Sequence, residues 1–237
     1  MEIKILFDSE GIDQGFSIGW GFSVLINGHI LFDTGERGDY LLANLKRMNI
    51  DTEKIDTVVI SHDHWDHTGG LWEILKKRKG ISVYALPNFS LEFKEEVKAL
   101  EALLIERKDF SEIVKDVFIT GEISGTYHER YMPEQALVVK TDKGITVITG
   151  CAHPGIIKIL EKVKAKFPTE HFYMVLGGFH LKEHDKRLIE IMVSRFREMN
   201  CERVGPTHCT GKDAEAIFKK AYKENCFSIK AGQTISI

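Results

Sequence analysis

The chain carries the stretch Ile60-Ser61-His62-Asp63-His64-Trp65-Asp66-His67-Thr68-Gly69-Gly70, which reads His-x-His-x-Asp-His and places four strong metal ligands within six residues. Three histidines and two aspartates crowd together at low cost only when a cation compensates the carboxylates and accepts the imidazole lone pairs. The stretch therefore indicates a metal site. We expect Asp63 to bond to backbone rather than to metal, and Trp65 to pack beneath the site.

The residues on either side place this motif in a loop between a strand and a helix. Residues 57–60 are β-branched or aliphatic and predict a buried parallel strand, while Gly69-Gly70 predicts a turn that opens a helix at Leu71. Side chains in such a loop are held by a rigid scaffold and stay accessible to solvent. The location is typical of an open catalytic site.

Length and composition favour a globular protein with a sizeable core. The 237 residues are 43% hydrophobic and 28% charged, without a linker or a composition break, so we predict a single domain over residues 1–237. The net charge of -3 gives no general attraction to nucleic acid or to anionic membranes. No stretch approaches membrane-spanning length and the N-terminus lacks the pattern of a signal peptide, so a cytoplasmic location is expected. Four scattered cysteines without a Cys-x-x-Cys pair indicate buried free thiols.

The pattern of apolar residues predicts an α/β protein in which strands alternate with helices. A β-hairpin is expected at Asn27-Gly28, because both residues tolerate positive φ. A charged, helical pattern covers residues 89–108, and residues 121–133 are expected to be irregular. Strands are predicted at 3–7, 22–26, 29–32, 57–60, 81–85, 117–119, 136–140, 145–148, 172–176, 203–206, 227–229 and 234–237, and further helices at 40–48, 71–79, 156–167, from about 184, and 213–224.

A histidine recurs where predicted strands end. The four positions are His62, His153, His180 and His208. In α/β architectures ligands bind at the carboxyl ends of parallel strands, so we expect these four strand ends to converge on one rim of a sheet.

These residues together resemble the metallo-β-lactamase fold superfamily. The resemblance rests on His62-x-His64-x-Asp66-His67, on Asp33-Thr34-Gly35 before it and on the later strand-end histidines, and it spans essentially the whole chain. Four further segments resemble its dihydropterin synthase-like branch: Glu134-Gln135-Ala136-Leu137, Thr149-Gly150-Cys151-Ala152-His153-Pro154-Gly155, Gly177-Gly178-Phe179-His180 and Pro206-Thr207-His208-Cys209-Thr210-Gly211. The resemblance implies a four-layer αββα sandwich with two metals at one edge.

The resemblance also implies a set of ligands. It places His62, His64 and His153 on one divalent cation, and Asp66, His67 and His208 on the other, with bridging water between them. Zinc suits these donors, although iron, manganese and magnesium remain open. Asp33, after its strand, is expected to orient a metal-bound histidine.

The chain departs from the superfamily pattern at one place. Most members carry a bridging aspartate in a Gly-Asp element, whereas here the corresponding region is Gly177-Gly178-Phe179-His180 and has no carboxylate. We expect His180 to be either an additional ligand or an acid/base group. Asp66 and His180 are therefore the candidate catalytic residues.

The ligands alone do not separate the possible reactions. Our main hypothesis is a hydrolase in which metal-activated water attacks an ester, lactone or phosphoester. The alternative is the transferase of the named branch, which joins a 7,8-dihydropterin-6-methyl diphosphate to ribofuranosylaminobenzene 5'-phosphate and releases diphosphate. A sensor that binds metal or ligand without turnover is a third hypothesis.

The expected partner is a small-molecule substrate, for which a phosphorylated or pterin-like compound is one candidate, with no nucleic acid and no membrane. Arg130 and Lys182 are the nearest candidates for contacting a substrate phosphate, although a solvated surface position is the favoured interpretation of each residue alone. The sequence does not indicate an oligomeric state.

Overall fold

A computed structural model describes all 237 residues and divides them into two compact units. The first contains Met1–Lys108 together with Ile229–Ile237, and the second contains Asp109–Ser228. Each unit has its own β-sheet and its own helices. Whether they form a single domain, as the sequence predicts, stays a prediction.

The first unit contains a seven-stranded sheet. Its order is the C-terminal strand Thr234–Ser236, then β1 to β6 in sequence order. The strands are β1 Glu2–Phe7, β2 Ser23–Ile26, β3 Ile30–Phe32, β4 Thr57–Val59, β5 Ser82–Ala85 and β6 Leu103–Glu106, and the helices are α1 Gly38–Arg47, α2 Trp65–Thr68, α3 Leu71–Lys77 and α4 Leu91–Ala99.

The antiparallel part of this sheet ends at the hairpin between β2 and β3. Asn27 and Gly28 both adopt positive φ, at 50° and 77°, and join β2 to β3 in the predicted tight hairpin. From β3 onward the neighbours are parallel. Val58 of β4 and the following Ile60 pack in one core with Leu41 and Leu45 of α1. The strand before the His-x-His-x-Asp-His motif is thus held between its parallel neighbours β3 and β5 and by this core.

The second unit contains a six-stranded sheet of order β14-β13-β12-β11-β8-β7 and a separate two-stranded hairpin. Strands β12, β13 and β14 are adjacent and parallel, and helices follow each of them. The strands are β7 Ser111–Val114, β8 Val117–Ile119, β9 Thr126–Tyr127, β10 Arg130–Tyr131, β11 Leu137–Thr141, β12 Gly144–Thr149, β13 Phe172–Gly178 and β14 Cys201–Thr207, and the helices are α5 Ile156–Lys166, α6 Lys186–Glu198 and α7 Lys212–Tyr222.

Three parts of the predicted secondary structure are wrong. The helical pattern of residues 89–108 ends at Ala99, and β6 follows because Leu103–Glu106 pairs in parallel with β5. Residues 121–133 are not wholly irregular, since β9 and β10 pair across a turn in which His128 and Glu129 have positive φ. Residues 227–229 form no strand.

No helix of the chain combines the length and the apolar character that crossing a bilayer requires.

Candidate metal centre

In the first unit, Asp33 holds the metal motif in place. This aspartate is fully buried and follows β3 with a φ of 52°. Its Oδ1 accepts a hydrogen bond of 2.7 Å from the backbone N–H of Ser61, and its Oδ2 accepts one of 2.7 Å from the Ser61 hydroxyl. Oδ2 also lies 2.6 Å from Nδ1 of His67. Because the carboxylate accepts a hydrogen bond from an N–H at Nδ1, the lone pair of His67 is left on Nε2, as a metal ligand requires.

The other histidines of the motif lie close to His67. The ring centroids of His62 and His67 are 4.3 Å apart, and those of His62 and His64 are 4.7 Å apart. Nε2 of His62 lies 3.1 Å from Nδ1 of His64. Asp66 is 6% exposed, and its Oδ2 lies 3.5 Å from Nε2 of His67. The structure thus brings together all four ligands that the motif predicts.

The two remaining polar or aromatic side chains of the motif face elsewhere. Asp63 accepts a 2.7 Å hydrogen bond from the backbone N–H of Ser90, which confirms that it bonds to backbone. Trp65 is 62% exposed, so the expectation that it packs beneath the site is wrong. As the first residue of α2, it projects outward and lines a cavity with Trp72 and Phe93.

In the second unit, three predicted site residues follow three adjacent parallel strands. His153 comes after β12, His180 after β13 and His208 after β14. His180 and His208 both have a φ of 53°, and Ala152 beside His153 has a φ of 63°. Non-glycine residues in this region cost about 1–3 kcal/mol each and cluster at functional sites. The loops that follow β12, β13 and β14 therefore carry backbone strain that is typical of functional sites.

The expectation that all four histidines meet on one rim of one sheet is wrong. His62 follows β4, which belongs to the sheet of the first unit, whereas the other three belong to the second sheet. Parallel pairing explains only the convergence of His153, His180 and His208.

Glu134 supports the loop that bears His153, and sequence reasoning gave it no role. Its side chain is fully buried. Its Oε1 accepts hydrogen bonds of 2.9 Å from the backbone N–H groups of Cys151 and Ala152, and its Oε2 accepts one of 2.8 Å from that of His153. A single carboxylate therefore satisfies three consecutive N–H groups. A lone glutamate before a strand offered no signal for this role, because its partners lie 17 to 19 residues later.

His180 lies among aromatic rings and thiols. Its ring centroid is 4.5 Å from that of His153 and 6.0 Å from that of Tyr127. The hydrogen bond to Cys209 raises the pKa of His180, outweighing the burial that lowers it. Burial raises the pKa of the Cys209 thiol, but the hydrogen bond with Cys151 and the neighbouring His208 and His180 hold that pKa well below its ordinary value.

The donor atoms of these residues fit divalent metal ions. Two nitrogen ligands of one tetrahedral zinc, each about 2.0–2.1 Å from the metal, lie about 3.3 Å apart, which is close to the 3.1 Å between His62 and His64. The candidate ligand atoms of Cys151, His153 and His180 all lie within 4.8 Å of one another. Nδ1 of His180 is buried and has no hydrogen-bond partner. Imidazole, carboxylate and thiol donors suit zinc and iron.

The two candidate phosphate contacts lie at exposed positions. Arg130 lies in the two-stranded hairpin and Lys182 follows β13, and both side chains are exposed. Contact with a substrate phosphate stays a prediction for both residues.

Comparison with known proteins decides the family. The model of the metallo-β-lactamase superfamily matches residues 21–187, a stretch that contains the whole histidine motif as well as His153 and His180. The chain belongs to the metallo-β-lactamase superfamily. Its predicted α/β metallo-β-lactamase fold is thereby confirmed, as is its resemblance to the dihydropterin synthase-like branch.

The chain is similar to three known members of the metallo-β-lactamase superfamily. It is 30% identical, over 96% of this chain and 93% of the other, to the 7,8-dihydropterin-6-methyl-4-(β-D-ribofuranosyl)-aminobenzene-5'-phosphate synthase of Methanocaldococcus jannaschii. The crystal structure of Tm1679, described as a metal-dependent hydrolase of the β-lactamase superfamily, is 32% identical and has a TM-score of 0.84 over 100% of this chain and 99% of that one. YhfI of Bacillus subtilis, at 13% identity and a TM-score of 0.73 over 99% and 98% of the two chains, shares the fold.

Proposed function

We propose that the protein is a metal-dependent transferase that joins a 7,8-dihydropterin-6-methyl diphosphate to ribofuranosylaminobenzene 5'-phosphate and releases diphosphate. The observation that carries the proposal is the 30% identity to the archaeal synthase, which extends over nearly all of both chains. This relationship favours the transferase, the alternative in our sequence analysis, over our main hypothesis of a hydrolase.

The proposal includes the metal ligands that the superfamily pattern assigns. We assign His62, His64 and His153 to one cation. The other is assigned to Asp66, His67 and His208. Divalent cations bound there would neutralise the negative charge of a leaving diphosphate. The 2.6 Å contact between Asp33 and His67 supports this assignment, because it orients His67 with Nε2 available.

The proposed reaction also needs a residue that accepts a proton. The amine nitrogen of the acceptor bonds to the methyl carbon of the pterin, the bond from that carbon to the diphosphate oxygen breaks, and the amine loses one proton. We assign His180 as the group that takes up this proton. Its Nδ1 has no hydrogen-bond partner within the protein, which supports this role.

A cavity next to the motif in the first unit supports binding of a flat ring. It has a volume of about 380 Å³, and Trp65, Trp72 and Phe93 line it together with Glu92 and Glu96. Aromatic side chains stack on a planar heterocycle, and a carboxylate accepts hydrogen bonds from adjacent ring N–H and amino groups. A pterin ring presents both features, so we assign this cavity to the pterin end of the substrate.

A hydrolase is the second candidate, and a separate observation favours it. Tm1679, which matches this chain over its whole length at 32% identity, is described as a metal-dependent hydrolase. In that case water would replace the amine as the attacking group.

One assay separates these functions. Metal-replete protein is incubated with the pterin-methyl diphosphate, with and without the arylamine phosphate, and products are followed by mass spectrometry. For the transferase we expect joined product and diphosphate in equal amounts, both only when the arylamine is present. The Asp66→Ala variant should lose this turnover, and the exposed-turn variant Asp142→Ala should keep it.

Two results would contradict the transferase. Diphosphate release at the same rate without the arylamine would show hydrolysis. If metal-loaded protein converts neither these substrates nor a panel of lactones and phosphodiesters, the sensor that binds metal or ligand without turnover would be the remaining hypothesis.

A further inference from the structure

We propose that the thiolate of Cys151 is a ligand of the same cation as His208, in place of the carboxylate that this chain lacks. This assignment rests on the metal binding of the proposed function. It adds a sulfur donor that the superfamily pattern does not assign.

The distance between the two donor atoms is the first observation. Sγ of Cys151 lies 3.2 Å from Nε2 of His208, and both side chains are buried. A tetrahedral zinc with a sulfur ligand at about 2.3 Å and a nitrogen ligand at about 2.0–2.1 Å separates these ligands by about 3.5 Å. The observed pair therefore needs a shift of only a few tenths of an ångström to bind one ion.

The backbone holds this sulfur in place. The N–H groups of Cys151 and Ala152 donate to the buried carboxylate of Glu134 at 2.9 Å, which fixes the loop immediately after β12. A ligand atom on a loop fixed in this way loses little conformational freedom when it binds a metal. The Cys151 thiol is thus positioned independently of any ion.

The end of β13 lies in the region where the superfamily pattern has its bridging aspartate, and position 178 there has no room for a side chain. At Gly178, an added Cβ would lie 2.4 Å from the carbonyl oxygen of Gly150, 2.6 Å from Sγ of Cys209 and 3.2 Å from Cα of Cys151. Real Cβ atoms essentially never approach that closely. The loop that carries Cys151 therefore occupies the space that a side chain at position 178 would need.

The chemistry of a cysteine thiolate suits the replacement of a carboxylate ligand. A thiolate supplies the negative charge that the absent carboxylate would have supplied. His208 supplies an imidazole donor beside this sulfur, with its Nε2 at 3.2 Å. Mixed nitrogen and sulfur sites bind zinc and iron rather than magnesium or calcium.

X-ray absorption of the zinc-loaded protein tests the assignment. We expect a sulfur scatterer at about 2.3 Å from zinc in the wild type. The Cys151→Ser variant should lose this scatterer and bind zinc at least about 10-fold more weakly. The neighbouring Cys209→Ser and the core variant Cys201→Ser should keep the scatterer, and circular dichroism verifies that each variant is folded.

Several outcomes would overturn the proposal. Bound zinc surrounded by nitrogen and oxygen alone would exclude a sulfur ligand while leaving the proposed function intact. Loss of the scatterer in Cys209→Ser, with retention in Cys151→Ser, would show that Cys209 and not Cys151 is the sulfur ligand. Wild-type protein that binds no zinc, iron or cobalt would overturn the ligand and the proposed function together.

Discussion

An Asp33→Ala variant is expected to unfold at a temperature about 10 °C lower than the wild type and to bind zinc about 10 to 100 times more weakly. The carboxylate is fully buried and contacts the Ser61 N–H, the Ser61 hydroxyl and Nδ1 of His67. Alanine leaves these three groups without their acceptor in a site closed to water, and breaking such a buried pair costs about 3–5 kcal/mol.

The two effects of this substitution are measured separately. Thermal unfolding in the presence of a chelator reports the loss of stability alone, and competition with a zinc-binding dye reports the affinity. An Asp39→Ala variant is the matched control, because Asp39 is exposed and pairs only with surface groups such as Arg37. If Asp33→Ala binds zinc as tightly as the Asp39→Ala control, Asp33 does not orient a metal ligand.

A Glu134→Ala variant is expected to lose hydrogen-exchange protection at residues 151–153 and about 3–5 kcal/mol of unfolding free energy. Two buried backbone N–H groups and one part-buried N–H group lose one charged acceptor, and each hydrogen bond to a charged group contributes about 1.5–3 kcal/mol. The three contributions share a carboxylate and are not additive, so we expect less than their sum. The loop that carries Cys151 and His153 would then open more often.

Exchange measured on peptides that contain residues 150–155 tests this expectation. Glu134→Gln should show an intermediate effect, because an amide keeps one carbonyl oxygen but turns an NH₂ group toward the donors. Glu112→Gln is the control, since Glu112 is exposed and accepts from a single backbone N–H, that of Asp116, which can turn to water. Unchanged protection in Glu134→Ala would show that other contacts hold the loop.

Local signals made much of the fold predictable. The hairpin at Asn27-Gly28 and the apolar run of β4 are short-range patterns, and both elements form where the sequence predicts them. The edge strand β6 was missed because its exposure pattern shows no alternation of buried and exposed residues, and its formation depends on pairing with β5 about 20 residues earlier. Non-local pairing of this kind leaves little trace in a local pattern.

Part of the candidate site was predictable from local sequence. The histidine motif indicates a metal site through its ligand types and their spacing, whereas the assignment of the strand-end histidines as ligands required a resemblance to a known family. Glu134 and Cys151 belong to segments that carry the resemblance, but their contacts with the backbone of the 151–153 loop and with His208 are non-local, so the sequence does not predict their roles. The crowding around Gly178, which leaves no room for a side chain there, depends on contacts with Gly150 and Cys209 that the sequence does not reveal.

Metal content is the most direct test of the central claim, that the histidine motif binds metal in a metal-dependent enzyme. Elemental analysis of purified wild-type protein should give about one to two equivalents of transition metal per chain. His62→Ala and His64→Ala should each lose most of it, while His171→Ala, an exposed histidine near Glu202, should retain it. Metal content that is unchanged in both motif variants would contradict the site.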